Sequence, residues 1–248
     1  VIYVFNKHDI IPNEAKTTMD YLLVNYATDI MSQMLNARLD ELTQTPNPPF
    51  IYAQAYDDDF FVSKTKDAFM GIAVSKDDGI ETALSSLLRE MERVHRFGFT
   101  ESEYTRARAE YLRNLESAYN ERDKQKNDAY IQEYVRHFID NEPIPGIENE
   151  YAIMNQIVPN IPVEAINQMM GQLISDSNLV VSIFCPDKEN MKYPTKDEIL
   201  NTIKDIKAEK IEAYVDKVSD EPLITEKPKA GKIVSINENG PFGTTVMT

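Results

Sequence analysis

Apolar residues recur at helical spacing between Asn13 and Gln44: Leu23, Ala27, Ile30 and Met34, then Leu35, Leu39 and Leu42. Steps of three and four place them on one stripe, so a long helix with one buried face is predicted. Pro46, Pro48 and Pro49 end it, because proline lacks the N–H and clashes with the preceding turn. The pattern then shortens. "FIYAQAY", "DDDFFVS" and "DAFMGIAVS" are rich in aromatic and β-branched residues. They predict two or three antiparallel strands with acidic turns at Asp57–Asp59 and Lys64–Asp67.

Helical spacing returns at Ile80, Ala83, Leu84, Leu87, Leu88, Met91 and Val94. Asp78 and Glu81 are placed to form a capping box at its start. Gly98 closes it, and Arg93 and Arg96 suit the negative end of its dipole. Thr100 and Glu103 form a second box and start a helix running toward Tyr119. A further helix over Glu121–Asp140 is expected to turn Tyr130, Tyr134, Val135 and Phe138 inward. "NEPIPGIENEY" reads as a loop, and Pro162 takes the first helical position before "VEAINQMMGQLI". The unbroken apolar run "NLVVSIFCP" predicts a strand buried on both faces. Thr195 and Glu198 box a last helix through "DEILNTIKDIKAEKIEAYV". The order of elements defines an α+β class, an antiparallel-rich mixed sheet covered by helices.

Residues 1–215 form the domain in this reading. Residues 216–248 are a linker: "DKVSDEPLITEKPKAGK" is polar and charged, and "IVSINENGPFGTTVM" alternates weakly, as a strand leading toward a downstream domain would. "VIYVFN" opens as a strand already under way, which implies a piece of a longer protein.

The 248 residues carry 41 acidic and 26 basic side chains, a formal charge of −15. The Arg106–Arg122 stretch alternates with glutamate as a solvated helix face, not the basic stripe of a nucleic-acid binder. No apolar run is long enough for a membrane span. The single cysteine, Cys185, excludes an internal disulfide and reads as a buried, inert thiol.

No self-contained chemistry stands out. His8, His95 and His137 lie far apart in sequence, without the paired helical spacing of a zinc site. His95 and His137 read as helix-end cations and His8 as exposed. No glycine-rich phosphate loop and no Gly-x-Ser-x-Gly elbow are present. Asp57–Asp59 read as a turn rather than an acid/base pair. Arg38 reads as structural, snorkelling or paired with Glu41 or Asp40, and Met31, Met34, Met169 and Met170 as core. The residues therefore assign no catalytic and no metal-binding side chain, and leave substrate-contacting residues unknown.

At "MLNARLDELTQ…FIYAQA", "LLREMERVHRFGFTESEYTRARAEYLRNLE" and "EYVRHFIDNEPIPGIENEYAIMNQIVPNIPVEAIN" the chain resembles the insulinase/pitrilysin family of zinc metallopeptidases. Each motif is loose, but their order and spacing persist to about Tyr214. The resemblance implies four homologous α+β domains in two lobes that close around an unfolded peptide. It implies a zinc motif His-x-x-Glu-His in the first domain, whose glutamate is general base on zinc-bound water. It also implies an Arg and a Tyr in a pattern like "LR…GY" of the last domain, steadying the tetrahedral intermediate.

Both patterns are missing here. The first helix reads "TTMDYLLVNYATDIMSQML", with no histidine. Leu42-Thr43 and Pro49-Phe50 stand at the "LR…GY" place, and neither Thr43 nor Phe50 brings the required group. The resemblance thus implies the second, non-catalytic domain plus the inter-lobe linker, inactive alone. Its partners would be the catalytic and C-terminal-lobe domains of the same polypeptide and peptide substrates, with zinc in the parent's first domain and a periplasmic or otherwise exported location. The alternative is a domain of a metal-free member serving as a binding or assembly subunit.

Overall fold

The computed structural model describes residues 1–189, 191–218, 224, 226 and 228–248. The chain divides into two compact units, Val1–Asp216 and Lys217–Thr248.

In the first unit a four-stranded sheet has the order β2-β3-β1-β4, with β1 at Ile2–Asp9, β2 at Tyr52–Asp59, β3 at Lys66–Val74 and β4 at Leu179–Ile183. All three pairings are antiparallel, so the sheet is not mixed as expected. Asp57–Asp59 are not a turn: they extend β2 and pair with Phe69, Ala68 and Asp67, and the chain reverses between Phe60 and Thr65. "DDDFFVS" adds no third strand. β4 is an edge strand, half-buried throughout, rather than a strand enclosed on both faces. Its apolar run covers the sheet margin, and Cys185 just beyond it is half-buried and free.

The helices α1 (Met19–Thr43), α2 (Ile80–Phe97), α3 (Glu101–Asn120), α4 (Asn127–Asp140), α5 (Ile147–Ile157), α6 (Val163–Leu173) and α7 (Lys196–Ala208) complete the unit. The main core joins Ile2 and Val4 of β1 and Phe69 and Ala73 of β3 to Ile30, Met31, Met34 and Leu35 of α1 and Leu84 and Leu87 of α2. Gly71 lets α2 approach β3 closely, since a Cβ there would meet Met91 Sδ at 2.9 Å and Leu87 Cδ1 at 3.0 Å. The opposite face carries a smaller cluster, Phe5, Ala68 and Met70, flanked by Tyr3, Tyr56, Phe60 and Val180.

Several boundaries moved for visible reasons. α1 starts after Thr18, whose hydroxyl accepts from the Tyr21 amide, and Asn13–Ala15 form a separate 3-10 turn. α2 has Gly79 at its N-cap with no side-chain cap, so Asp78 and Glu81 form no box. The boxes at Thr100–Glu103 and Thr195–Glu198 both form. Pro162 is the N-cap of α6, one position earlier than expected. α7 stops at Ala208 because Arg96 donates to the carbonyls of Ile206, Lys207 and Glu209, capping the helix end from outside. The largest departure is α4, which buries none of its residues: Tyr134 is 58% exposed and Phe138 88%.

In the second unit, β5 (Ile236–Asn237) and β6 (Val246–Met247) pair with each other. The expected downstream strand thus folds back locally, while residues 219–223, 225 and 227 of the expected linker lie outside the described residues.

Candidate functional site

One side of α1 is not needed for the core. Its residues line two depressions, of about 910 and 660 Å3, that share Asp29 and Asp57. The larger lies between α1, α3 and the end of β2, with Ser32, Asn36, Asp40, Glu110 and Arg113 on its walls. The smaller continues past Asn25 and Thr28 to His8, Asp58 and Lys16. Together they make one groove running along α1.

Charge is concentrated at its waist. Asp29 is pushed above the ordinary aspartate value, first by the protein around it and then by the charge of Asp57, even though part of the side chain reaches solvent. Asp57 in turn holds His8, whose Nε2 lies 2.8 Å from Asp57 Oδ1. Burial lowers the His8 pKa, but that hydrogen bond and charge outweigh it and the net shift is upward. His8 is therefore a half-buried partner of Asp57, not the exposed side chain expected. His95 sits exposed in the last turn of α2, as read from sequence, and His137 Nδ1 contacts the Glu142 carbonyl oxygen at 2.6 Å.

The floor is tied down by backbone clamps. Asn36 Nδ2 donates to the Ala55 carbonyl at 3.0 Å, and Asn36 Oδ1 accepts the Ala55 amide at 2.6 Å. The Phe60 amide donates to the Lys66 carbonyl of β3. Alternation then turns the backbone groups of Ala53, Ala55 and Asp57 away from β3, toward the sheet edge. Asn36 thus stands in for a missing neighbour strand at Ala55.

At the α3 end, Arg38 is buried, 2% exposed. Its Nε and one terminal nitrogen donate to both oxygens of Glu103 at 2.6 and 2.8 Å, and that nitrogen also reaches the Gly98 carbonyl at 3.1 Å. The guanidinium lies over the rings of Phe99 and Tyr214, at 5.0 and 4.2 Å from their centroids. Arg38 Nη1 is buried with no acceptor among the described residues. So Arg38 is structural as expected, but its partner is Glu103 across the fold, not Asp40 or Glu41.

Tyr214 belongs to an extended strap, residues 209–216, where the sequence pattern predicts helix through Val215 and linker from Asp216. Tyr214 donates to Glu41 Oε1 at 2.7 Å, Arg89 pairs with Glu209, and Arg93 donates to the Glu212 carbonyl. Arg106 and Ser102 both bind Asp216. The available signal was Arg38 itself: a cation within the apolar stripe between Met34 and Leu42 requires a buried anion.

The positions expected to have dropped reactive groups are built into the scaffold. Thr43 Oγ1 donates to the Asp40 carbonyl at 2.7 Å, and Phe50 is fully buried. Met31, Met34 and Met170 are core, with Met169 packed beside it. Among the described residues no group of three or more His, Cys, Asp or Glu is arranged to hold a metal ion. His8, Asp29 and Asp57 at the waist do not form such a group.

No protein-family model matches the chain. Over 237 residues it is 25% identical to the Arabidopsis thaliana protein named zinc protease PQQL-like, covering 95% of this chain and 21% of that protein. The periplasmic protease PqqL from Escherichia coli superposes with a TM-score of 0.75 at 16% identity, over 95% of this chain and 26% of that one. That protein's first half gives 0.74, over 87% of this chain and 45% of the other. A predicted insulinase family protease from Yersinia pestis gives 0.65 at 10% identity, covering 83% and 43%. The fold is that of insulinase-like protease domains. In sequence the chain is similar to a protein named as a zinc protease, of whose length it spans about a fifth.

Proposed function

We propose that this chain is the second, non-catalytic domain of a zinc-dependent endopeptidase, where it forms part of the wall around an enclosed peptide. Residues 1–215 are that domain and 216–248 lead toward the next. Zinc and its general base belong to the first domain of the parent protein, and the groups that steady the tetrahedral intermediate to its last. The isolated chain neither binds zinc nor cleaves peptides. A location outside the cytoplasm accompanies this reading, supported by the name of the periplasmic relative PqqL.

The observation that carries the reading is α1. It keeps the helix-to-strand frame of the resemblance, yet its groove-facing positions are Asp29, Ser32, Gln33 and Asn36, with no histidine along the helix. The match to less than half of the first half of PqqL supports one domain among several.

The test compares the full-length parent with this chain alone. The parent should contain stoichiometric zinc and cleave an unstructured peptide until a chelator is added. The isolated chain should do neither. A parent that holds no zinc and cleaves nothing would instead favour a metal-free binding or assembly subunit.

A further inference from the structure

His8, near the end of β1, has an acceptor against each ring nitrogen. Nδ1 lies 3.1 Å from the Asp9 carbonyl oxygen and Nε2 2.8 Å from Asp57 Oδ1. A carbonyl and a carboxylate have no proton to give, so both nitrogens must donate, and only the imidazolium has two N–H groups. Either neutral tautomer would set a lone pair against an oxygen and lose one of the two bonds. Deprotonation of His8 therefore removes a charge and a hydrogen bond together.

The acids around it are poorly compensated. Asp67 lies opposite His8 in the register of β1 with β3, and opposite Asp59 in the register of β2 with β3. A carboxylate thus sits between an imidazole and a like charge. Asp29 of α1 and Asp58 of β2 line the same depression, and α6 adds the uncharged Met169 and Leu173. Asp29 and Asp67 are both held above the ordinary aspartate value, first by burial. Among the described residues neither they nor Asp57 form an ion pair with a lysine or arginine. The neighbouring cations are engaged elsewhere: Lys66 with Asp9, Lys64 with Asp140 at 3.9 Å, and Arg136 with Glu142 at 4.0 Å.

Lys16 is placed between the two groups. Its charge acts on Asp67, yet its ammonium donates to the Asp140 carbonyl at 2.6 Å, at the end of α4. α4 buries none of its residues, so it depends on such polar contacts. The others at this end are the Tyr21 hydroxyl on Glu142 and His137 Nδ1 at the Glu142 carbonyl oxygen.

We propose that His8 is a pH-sensitive switch that acts through Lys16 on α4. With His8 charged, Asp57 and Asp67 have a counter-charge, and Lys16 is left to hold the end of the helix. With His8 neutral, the uncompensated carboxylates draw the Lys16 ammonium away from Asp140, and α4 loosens. Because the folded pKa of His8 lies above its ordinary value, the proton is fully bound below that ordinary value and leaves as pH rises through the folded one. α4 is accordingly held in mild acid and released toward alkaline pH.

The test is amide hydrogen exchange of the 248-residue chain, read by mass spectrometry and corrected for intrinsic exchange. It runs from about pH 5.5 to about pH 8.5, either side of the ordinary histidine value of about 6.5. Protection over Asn127–Asp140 should fall roughly fivefold across that range, the loss of one partly exposed charged hydrogen bond. The β3 amides around Phe69 and Met70 should keep theirs. His8→Gln and Lys16→Gln should each leave α4 at the lower protection throughout, since one lacks the titrating proton and the other the tether. His137→Gln removes the other imidazole near this helix end and should retain the pH dependence. Constant α4 protection in the native chain would overturn the proposal. So would a pH dependence that survives in His8→Gln or Lys16→Gln, one that vanishes in His137→Gln, or equal loosening of the β3 amides, which would make the change global.

Discussion

At the scale of single residues, the most consequential side chain is Arg38. It is buried, forked onto Glu103, and stacked between Phe99 and Tyr214. Glu103 also accepts the Thr100 amide and hydroxyl, so one carboxylate serves both a helix cap and an ion pair. Arg38→Met should therefore cost about 3 kcal/mol in urea denaturation, since removal of one partner strands a buried charge. Lysine should rescue little, because it lacks the planar fork and the stacking surface. Loss of under about 1 kcal/mol would mean the pair is peripheral to stability. His8 makes a pH prediction. Its folded pKa lies above the unfolded value of about 6.5. The pair with Asp57 is then fully stabilising below that value, and its contribution fades as pH rises through the folded pKa. The stability difference between the native chain and His8→Gln should accordingly be largest in mild acid and shrink toward alkaline pH. A difference that grows with pH would contradict the assignment.

At the scale of elements, α4 departs most from its sequence pattern. Tyr130, Tyr134, Val135 and Phe138 keep helical spacing, yet every one is exposed. What holds the end of α4 is polar: Lys16 Nζ donates to the Asp140 carbonyl and Tyr21 donates to Glu142. The Tyr21 hydroxyl is pushed up to about 12, chiefly by burial and then by that carboxylate. Phe138→Asp should thus change the denaturation midpoint by no more than about 0.5 kcal/mol equivalent. A clear destabilisation would show that the phenylalanine packs in solution. The contrast explains what was legible. Periodicity marks which face is apolar, and it found the helical stripes of α1 and α2 because both meet the sheet. It cannot say what covers a face, and in α4 the same spacing belongs to a face that stays exposed. Local caps at Thr100 and Thr195 were readable because partners three residues apart are fixed by the helix itself. The strap 209–216 and the Arg38–Glu103 pair depend on contacts between residues distant in the chain, which no local spacing encodes. Asp57–Asp59 failed for a related reason: consecutive acids favour turns, but an edge strand tolerates them where its outer groups meet solvent.

At the scale of the whole molecule, the first unit is a sheet covered on one face by helices, with one side of α1 left open. In the proposed reading, α1 and β2 correspond to the zinc-bearing helix and following strand of a catalytic domain, and here they carry Asp29, Asn36 and Asp57. Curated and structural relatives extend well beyond the span of this chain, so chemistry supplied by other domains is a coherent reading. The direct test is a calorimetric titration of the purified 248-residue chain with zinc at neutral pH. The account predicts no saturable, chelator-reversible uptake; one zinc bound per chain would contradict it.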